Sequence, residues 1–183
     1  MLELNFTPFP VLKTDRLLLR KLTAEDTEEI FIQRSHPTIN KFIKREPPKR
    51  IEDAEAWLAM VLKHEENNES ITWGIVLKGS TKLIGSICLW NIQKEMDMAE
   101  VGYSLHPDHF GKGIMHEAMS AILRYGFGPM RLRRIDAYTH KDNVASRRLL
   151  EKNNFERNFD FEITYEDKAE LEYNVIYSRL VEI

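Results

Sequence analysis

Tyr103-Ser104-Leu105-His106-Pro107-Asp108-His109-Phe110-Gly111-Lys112-Gly113-Ile114 is the stretch on which the reading of this chain turns. A strand ends here, Pro107 holds the residue before it extended, and two glycines separated by one residue lead straight into a helix. Backbone N–H groups that converge at such a helix start form a nest for phosphate, and glycine lets a ligand approach where a Cβ would stand. Lys112 adds one positive charge. The stretch lacks the G-x-x-x-x-G-K-[ST] of a P-loop and the third glycine of a dinucleotide fingerprint. Alone, it reads equally as a tight strand-to-helix connection.

Working outward, Ile114 to Phe127 carries Met115, Ala118, Met119 and Ile122 at helical spacing, which predicts an amphipathic helix. Upstream, Met98 to Leu105 reads as a strand. Ile71 to Leu77 and Lys82 to Trp90 read as a hairpin around Lys78-Gly79-Ser80-Thr81. Ile51 to Asn67 is helical, with Ala54, Trp57, Leu58, Val61 and Leu62 on one face. Pro37 to Phe42 is a short helical turn. A further helix starts at Thr23-Ala24-Glu25-Asp26, a capping-box pattern, and runs to about Arg34. Before it, Arg16 to Arg20 is a short strand. Downstream come a strand at Arg134 to Thr139 and a helix at Asn143 to Asn153. Two more strands follow, Phe155 to Ile163 and Leu171 to Leu180, joined by an acidic turn at Glu166-Asp167. The second half thus holds one strand-helix-strand crossover, where open α/β sheets place their ligands.

Composition narrows the field. A chain of 183 residues with 43% hydrophobic and 30% charged residues is one ordinary globular domain, not a disordered or fibrous chain. Twenty-six Lys and Arg against 29 Asp and Glu leave a net charge of −3, with no general field for nucleic acid or anionic membrane. The first ten residues have no basic side chain and two prolines, Pro8 and Pro10, the wrong make-up for a signal peptide. Leu83 to Gln93, the longest uncharged stretch, is far short of the roughly 20 residues of a membrane span. The single cysteine, Cys88, precludes an internal disulfide. A cytoplasmic protein is expected.

About thirty residues past the two glycines, Asp142-Asn143-Val144-Ala145-Ser146 opens another helix that ends in Leu149-Leu150-Glu151-Lys152-Asn153-Asn154-Phe155. With this second motif the chain resembles the GNAT acyl-CoA N-acetyltransferases, within them the RimJ/RimL-like ribosomal-protein alanine N-acetyltransferases. The resemblance runs from Thr14-Asp15-Arg16-Leu17-Leu18-Leu19-Arg20 through Ala99-Glu100-Val101-Gly102-Tyr103 to Asn154-Phe155. It implies an α/β (α+β) fold with a mixed, mostly antiparallel sheet of six or seven strands flanked by helices, the central strands splayed around the pantetheine arm. Residues 14–183 are expected to form one domain, with 1–13 as an N-terminal arm. The family's acetyl-CoA loop matches Asp108 to Gly113, so the backbone of Phe110, Gly111, Lys112, Gly113 and Ile114 would hold the pyrophosphate. Leu105 would pair with pantetheine, Asn143 would contact it, and Arg147, Arg148 and Lys152 are cations near the expected adenosine 3′-phosphate.

Three positions depart from the family pattern. Asp108 replaces the usual Arg or Gln, removing a phosphate donor. Leu150 stands where many relatives carry the tyrosine that protonates the departing thiolate. Asn154 replaces a glycine, harmlessly, because asparagine tolerates the left-handed conformation. A thiol of pKa about 8.5 leaves with little help, so a hydrogen bond from Ser146 would serve; as a first-turn residue Ser146 reads equally as a helix cap.

The reaction implied is direct acetyl transfer from acetyl-CoA to a primary amine, either a protein N-terminus or a small amine such as a polyamine or aminoglycoside. At pH 7 roughly one α-amino group in ten is neutral, against about one lysine in two thousand, so a base is useful. Glu100, on the strand feeding the loop, is the candidate; the competing reading makes it an outward-facing strand residue. Glu170 and Glu172 are weaker candidates, and His106 and His109 read as loop surface. Cys88 reads as a buried small hydrophobe, and no residues have metal-ligand spacing. Ser35 to Pro48 and the last hairpin would line the acceptor side, where Lys41, Lys44, Arg45, Lys49 and Arg50 argue against a polycation. A monomer or homodimer is expected. A non-catalytic CoA-binding regulatory module is the competing class, supported by Asp108 and Leu150.

Overall fold

Residues 2–164 and 171–181 are described by a computed structural model. An eight-stranded sheet runs through its centre in the order β1-β2-β3-β4-β5-β6-β8-β7. The strands are β1 (Leu12–Lys13), β2 (Leu17–Lys21), β3 (Ile71–Leu77), β4 (Leu83–Gln93), β5 (Met98–Leu105), β6 (Arg134–His140), β7 (Glu156–Arg157) and β8 (Asn174–Leu180). Every pairing is antiparallel except β5 with β6. That exception follows from α4 (Ile114–Phe127), whose crossover returns the chain parallel to the strand it left.

Both faces of the sheet are covered. Met115, Ala118, Met119 and Ile122 of α4 pack with Leu17, Trp73, Ile87, Leu89, Val101 and Ile135 in the main core, joined by Leu2 and Phe6 of the N-terminal segment. Trp73 Nε1 donates to Pro10 O at 2.7 Å, fastening that segment. On the other face, α1 (Thr27–Ser35) and α3 (Ile51–Glu66) pack Ile30, Ala54, Leu58 and Val61 against Leu22 and Leu83. The short α2 (Pro37–Asn40) follows α1, and α5 (Val144–Lys152) lies beside α4, where Ser120 Oγ donates to Asn153 Oδ1 at 3.3 Å.

The expected helices over 51–67, 114–127 and 143–153 are present to within a residue or so, and the short turn at Pro37 is α2. Asn154 takes the left-handed conformation at φ 59, as its residue type allows. The end of the chain differs. Phe155 to Ile163 does not form a strand: only Glu156 and Arg157 pair, and α6 (Phe159–Thr164) follows. Phe159, Phe161 and Ile163 alternate as a strand would, but Asn158 Oδ1 accepts from Phe161 N at 3.0 Å and Asp160 and Glu162 sit in the first turn. Helix capping outweighs the two-residue period there. The expected acidic turn at Glu166-Asp167 lies outside the described residues. With the two-residue strands β1 and β7, the sheet has eight strands instead of six or seven. No helix among the described residues is long and apolar enough to cross a membrane.

Candidate active site

The parallel pairing of β5 and β6 lasts three rungs, Met98 with Arg134, Ala99 with Ile135 and Glu100 with Asp136, and then stops. Beyond it β5 continues to Leu105 along β4, while β6 continues to His140 along β8. The two strands diverge as a fork, and their inner edges offer backbone donors and acceptors that the sheet itself does not satisfy. An extended amide-bearing ligand can add there as a strand would.

The fork leads directly into the two-glycine loop. His106 is extended (φ −63, ψ 137), Pro107–His109 make a short 3-10 turn, and Gly113 opens α4. Gly111 and Gly113 both have φ +72, where a side chain is strained. The first intrahelical bond is donated by Glu117 N to Gly113 O at 3.1 Å, so the amides of Ile114 to His116 have no carbonyl of their own helix to serve. A ring of unserved donors at the positive end of a 14-residue helix, entered by glycines, fits a pyrophosphate. Lys112 Nζ donates to Asp108 O at 2.7 Å, closing the loop upon itself, and Asp108 is exposed beside His106.

Arg16 escaped the sequence reading. Its Nη1 donates to Lys112 O at 2.8 Å, and its Nε to Glu117 Oε2 at 2.6 Å, while Thr14 Oγ1 and Arg16 N donate to Glu117 Oε1. Burial pushes the Glu117 carboxyl up, but the hydrogen bonds from Thr14 and Arg16 outweigh it and leave the group below the usual carboxylate range. The turn between β1 and β2 thereby clamps the loop.

Inside the fork, three hydroxyls meet. Thr139 Oγ1 of β6 donates to Ser146 Oγ of α5 at 2.8 Å, and Ser146 Oγ lies 2.8 Å from Tyr103 Oη of β5. Burial pushes the Tyr103 phenol up to about 12, so it stays protonated. Three hydroxyl protons serve two hydrogen bonds, so one O–H, on Ser146 or Tyr103, remains to donate to a guest. The helix cap is Asn143, whose Oδ1 accepts from Ser146 N at 3.1 Å. The cap reading of Ser146 is therefore corrected: its amide is capped, and its hydroxyl works across the fork. Leu150, at the position of the family tyrosine, is fully buried core. Tyr103 escaped the sequence reading too, although its place two residues from Leu105 puts it on the same inward face.

On the opposite face of β5, Glu100 is buried at 8% exposure, which overturns the outward-facing alternative, and it accepts from Asn91 Nδ2 at 2.6 Å. Asp136, its partner across the last rung, is held by Arg134 Nε at 2.8 Å and by Ser178 Oγ at 2.6 Å. Gly102 and Ser104 follow Glu100 on this face. A Cβ on Gly102 would approach Cys88 Sγ to 3.1 Å. Cys88 is partly exposed, and burial of the thiol itself pushes it up to about 11, which leaves no thiolate for nucleophilic work. The segment from His36 to Arg45 crosses the mouth of the fork. His36 meets His106 after β5 at 5.8 Å between rings, and Phe42 meets His140 at the end of β6 at 5.2 Å.

Other expected site residues lie elsewhere. Arg147 is engaged by Tyr177 Oη and Lys141 O, while Arg148 and Lys152 are exposed on α5. Glu172 is exposed and Glu170 lies outside the described residues. Burial and the charges of Lys112 and His106 push the His109 imidazole down, consistent with a loop residue that stays neutral. No group of three or more His, Cys, Asp or Glu side chains is placed to hold a metal among the described residues.

A fork of two parallel strands feeding an anion cradle at a helix start suits an extended, amide-bearing chain that ends in phosphates. Comparison with known proteins makes the class specific. The family model described as an acetyltransferase (GNAT) domain matches residues 16–156. The uncharacterized N-acetyltransferase YoaA of Bacillus subtilis is 35% identical over 149 residues, covering 81% of this chain and 84% of that protein. The crystal structure of a GNAT-family acetyltransferase from Bacillus anthracis superposes with a TM-score of 0.76 at 28% identity, covering 93% and 98% of the two chains. The ribosomal-protein-S5-alanine acetyltransferase of Vibrio fischeri shares the fold, with a TM-score of 0.73 at 19% identity over 93% and 96%. The chain belongs to the GNAT family of acetyltransferases. It is an acyltransferase that uses acetyl-CoA.

Two outcomes test the site. Gly111→Val or Gly113→Val should weaken CoA binding measured by calorimetry at least tenfold, because a β-branched side chain is strained at positive φ and fills the cradle. Lys112→Ala should weaken it only severalfold, since it removes one screened charge. Ser146→Ala and Tyr103→Phe should each lower kcat by roughly tenfold with little change in the acetyl-CoA KM, and the double variant should lose little more than either alone, because the hydroxyls act as one unit. A Ser146 that only supports the helix start would instead cost about 1 kcal/mol of stability and leave turnover intact.

Proposed function

We propose that this enzyme transfers the acetyl group directly to an α-amine, in the manner of the RimJ/RimL-like branch, with Glu100 receiving the amine proton and the Ser146–Tyr103 pair serving the departing sulfur. The observation that carries the proposal is the placement of these groups on opposite faces of one short stretch of β5, either side of the fork. An acceptor and a leaving group that approach from opposite faces meet at a carbonyl held between them. The activity is carried by one domain, into which the expected N-terminal arm is built: Leu12–Lys13 form β1 and Leu2 and Phe6 join the main core.

Acetyl-CoA supplies the activated acyl group. The amides from Gly111 to His116 bind its pyrophosphate, that of Phe110 being already given to Pro107 O at 3.0 Å against the sequence expectation, and the free edge of β5 up to Leu105, with Asn143, receives the pantetheine. Glu100, directly or through one water, takes the proton released as the amine nitrogen bonds to the acyl carbon. The spare hydroxyl of the Thr139–Ser146–Tyr103 chain donates to sulfur as the C–S bond breaks. A thiolate near neutrality needs a hydrogen-bond donor more than a strong acid, so a hydroxyl suffices where relatives use a tyrosine from α5. A base that only trims the protonated fraction of an α-amine has a smaller task than one serving lysine, by roughly two orders of magnitude in neutral fraction. The fold likeness to the Vibrio fischeri enzyme fits this choice. A polyamine or aminoglycoside is disfavoured by Lys41, Lys44 and Arg45 at the mouth of the fork.

Replacing Glu100 by Gln keeps the shape and removes the basicity. The kcat/KM for a peptide α-amine should fall, and its acidic limb should move up toward the pKa of the free amine, near 8. An unchanged pH profile would assign Glu100 a structural role.

A further inference from the structure

On the acceptor side of the fork lie two arginines, neither of them paired with a carboxylate among the described residues. Arg34 ends α1, and Arg45 follows α2 in the segment that crosses the fork mouth. Arg34 stacks its guanidinium over Trp57 at 4.3 Å and forms no ion pair or side-chain hydrogen bond among the described residues. Arg45 donates through Nε to Asn40 Oδ1 at 2.9 Å, and Asn40 in turn donates to Arg34 O at 2.6 Å, so one asparagine holds both arginines in place. The Nη2 of Arg45 is buried and has no hydrogen-bond partner among the described residues. Neighbouring Glu46 is exposed and turned to Lys49 at 3.8 Å.

This arrangement is costly as it stands. Burial, and then the charge of Arg45, push the Arg34 guanidinium down to about 10, and burial pushes Arg45 down as well. Guanidinium groups drawn from water normally meet a carboxylate or phosphate, and an unserved buried N–H is rare. The position is not remote from the chemistry. Arg34, Trp57 and Gln33 line a narrow cavity of about 20 Å³ with Ser86 of β4 and Ser104 of β5, whose hydroxyls lie 3.5 Å apart. Ser104 is four residues along the strand from Glu100 and on the same face, about 13 Å at strand rise. The cavity has room for about one water, so it connects Arg34 with β5 without itself seating the anion.

We propose that Arg34 and Arg45 form an anion subsite for the acceptor, so that the amine acetylated by this enzyme belongs to a molecule carrying a carboxylate or phosphate within about 13 Å of the nitrogen. The assignment of the amine rests on the α-amine transfer described above, whereas the anion subsite stands on the arginine geometry itself. Bidentate recognition by the two forks orients the acceptor, and the unserved Nη2 gains its partner only when the acceptor is bound.

Two measurements separate the subsite from the transfer reading. Inorganic phosphate is titrated into protein saturated with CoA, so that the cradle is filled, while tryptophan fluorescence is followed. Trp57 beneath Arg34 is the reporter, and Trp57→Phe identifies its signal. A saturable millimolar response, weakened at least tenfold in both Arg34→Gln and Arg45→Gln, is expected. Both variants should keep or raise the thermal midpoint, since each relieves an unpaired charge. No saturable response, or one retained in both variants, overturns the subsite. CoA release is then compared for the amidated tetrapeptides Ala-Gly-Gly-Glu, Ala-Gly-Gly-phosphoserine and Ala-Gly-Gly-Gln, long enough to span that distance. At least tenfold higher kcat/KM for an acidic peptide than for the Gln peptide, collapsing toward equality in the two variants, is expected, and the better acidic peptide distinguishes carboxylate from phosphate. Turnover of all three at equal rates overturns the anion preference and leaves α-amine transfer standing. Saturable phosphate binding without turnover of any peptide supports the subsite and contradicts the α-amine reading.

Discussion

The parting of β5 from β6 after the Glu100–Asp136 rung is the constraint on which the rest of the molecule depends. Strands that stay paired satisfy their backbone groups and leave no room; strands that part must have those groups served by something else. The parting is held from both sides. β5 is tied to β4 as far as Gly85 with Leu105, where a Cβ on Gly85 would meet Ser104 O at 2.6 Å. β6 is tied to β8 along its whole length, and buried Asp136 is fixed at the apex by Arg134 and Ser178. An ionised carboxylate taken fully out of water is tolerable only with such partners.

The same division of labour underlies the chemistry proposed for a chain that lacks the family tyrosine. The phenol arrives from β5 instead of α5, joined to Ser146 and Thr139 across the fork. The loop that lacks an arginine at Asp108 is clamped from outside by Arg16, whose guanidinium bridges Lys112 O and Glu117. In both cases the group sits on a different element from the one the family pattern names, and the interaction is made across the sheet. These features weigh against a chain that only binds CoA, because a protonated hydroxyl chain inside the fork and a buried carboxylate on its other face have no evident role in binding alone.

Much of this was legible in the sequence. The two-glycine helix start and the apolar face of α4 are read directly from the sequence, because periodicity and turn chemistry are local, whereas the parting of the central strands came only with the family resemblance. What was not legible depends on contacts far apart in the chain. Tyr103 and Ser146 are separated by 43 positions, and Arg16 and Glu117 by 101. Arg45 is read from the sequence as one of several basic residues on the acceptor side and Arg34 only as a helix end; burial and the lack of a described anion set the two apart. At the end of the chain, Phe159, Phe161 and Ile163 carry a strand-like period within a helix that Asn158 caps, a local conflict settled by a side-chain hydrogen bond.

Amide hydrogen exchange with and without acetyl-CoA tests the fork most directly. Amides of Met98 to Glu100 lie in the paired part of the sheet and should be slow in both states. Amides of β5 beyond Glu100 and those of Gly111 to His116 should gain protection by at least tenfold when acetyl-CoA binds, because an extended ligand then occupies the free edge and its phosphates occupy the helix start. Protection that appears elsewhere, with the fork and the two-glycine loop exchanging as before, would contradict it.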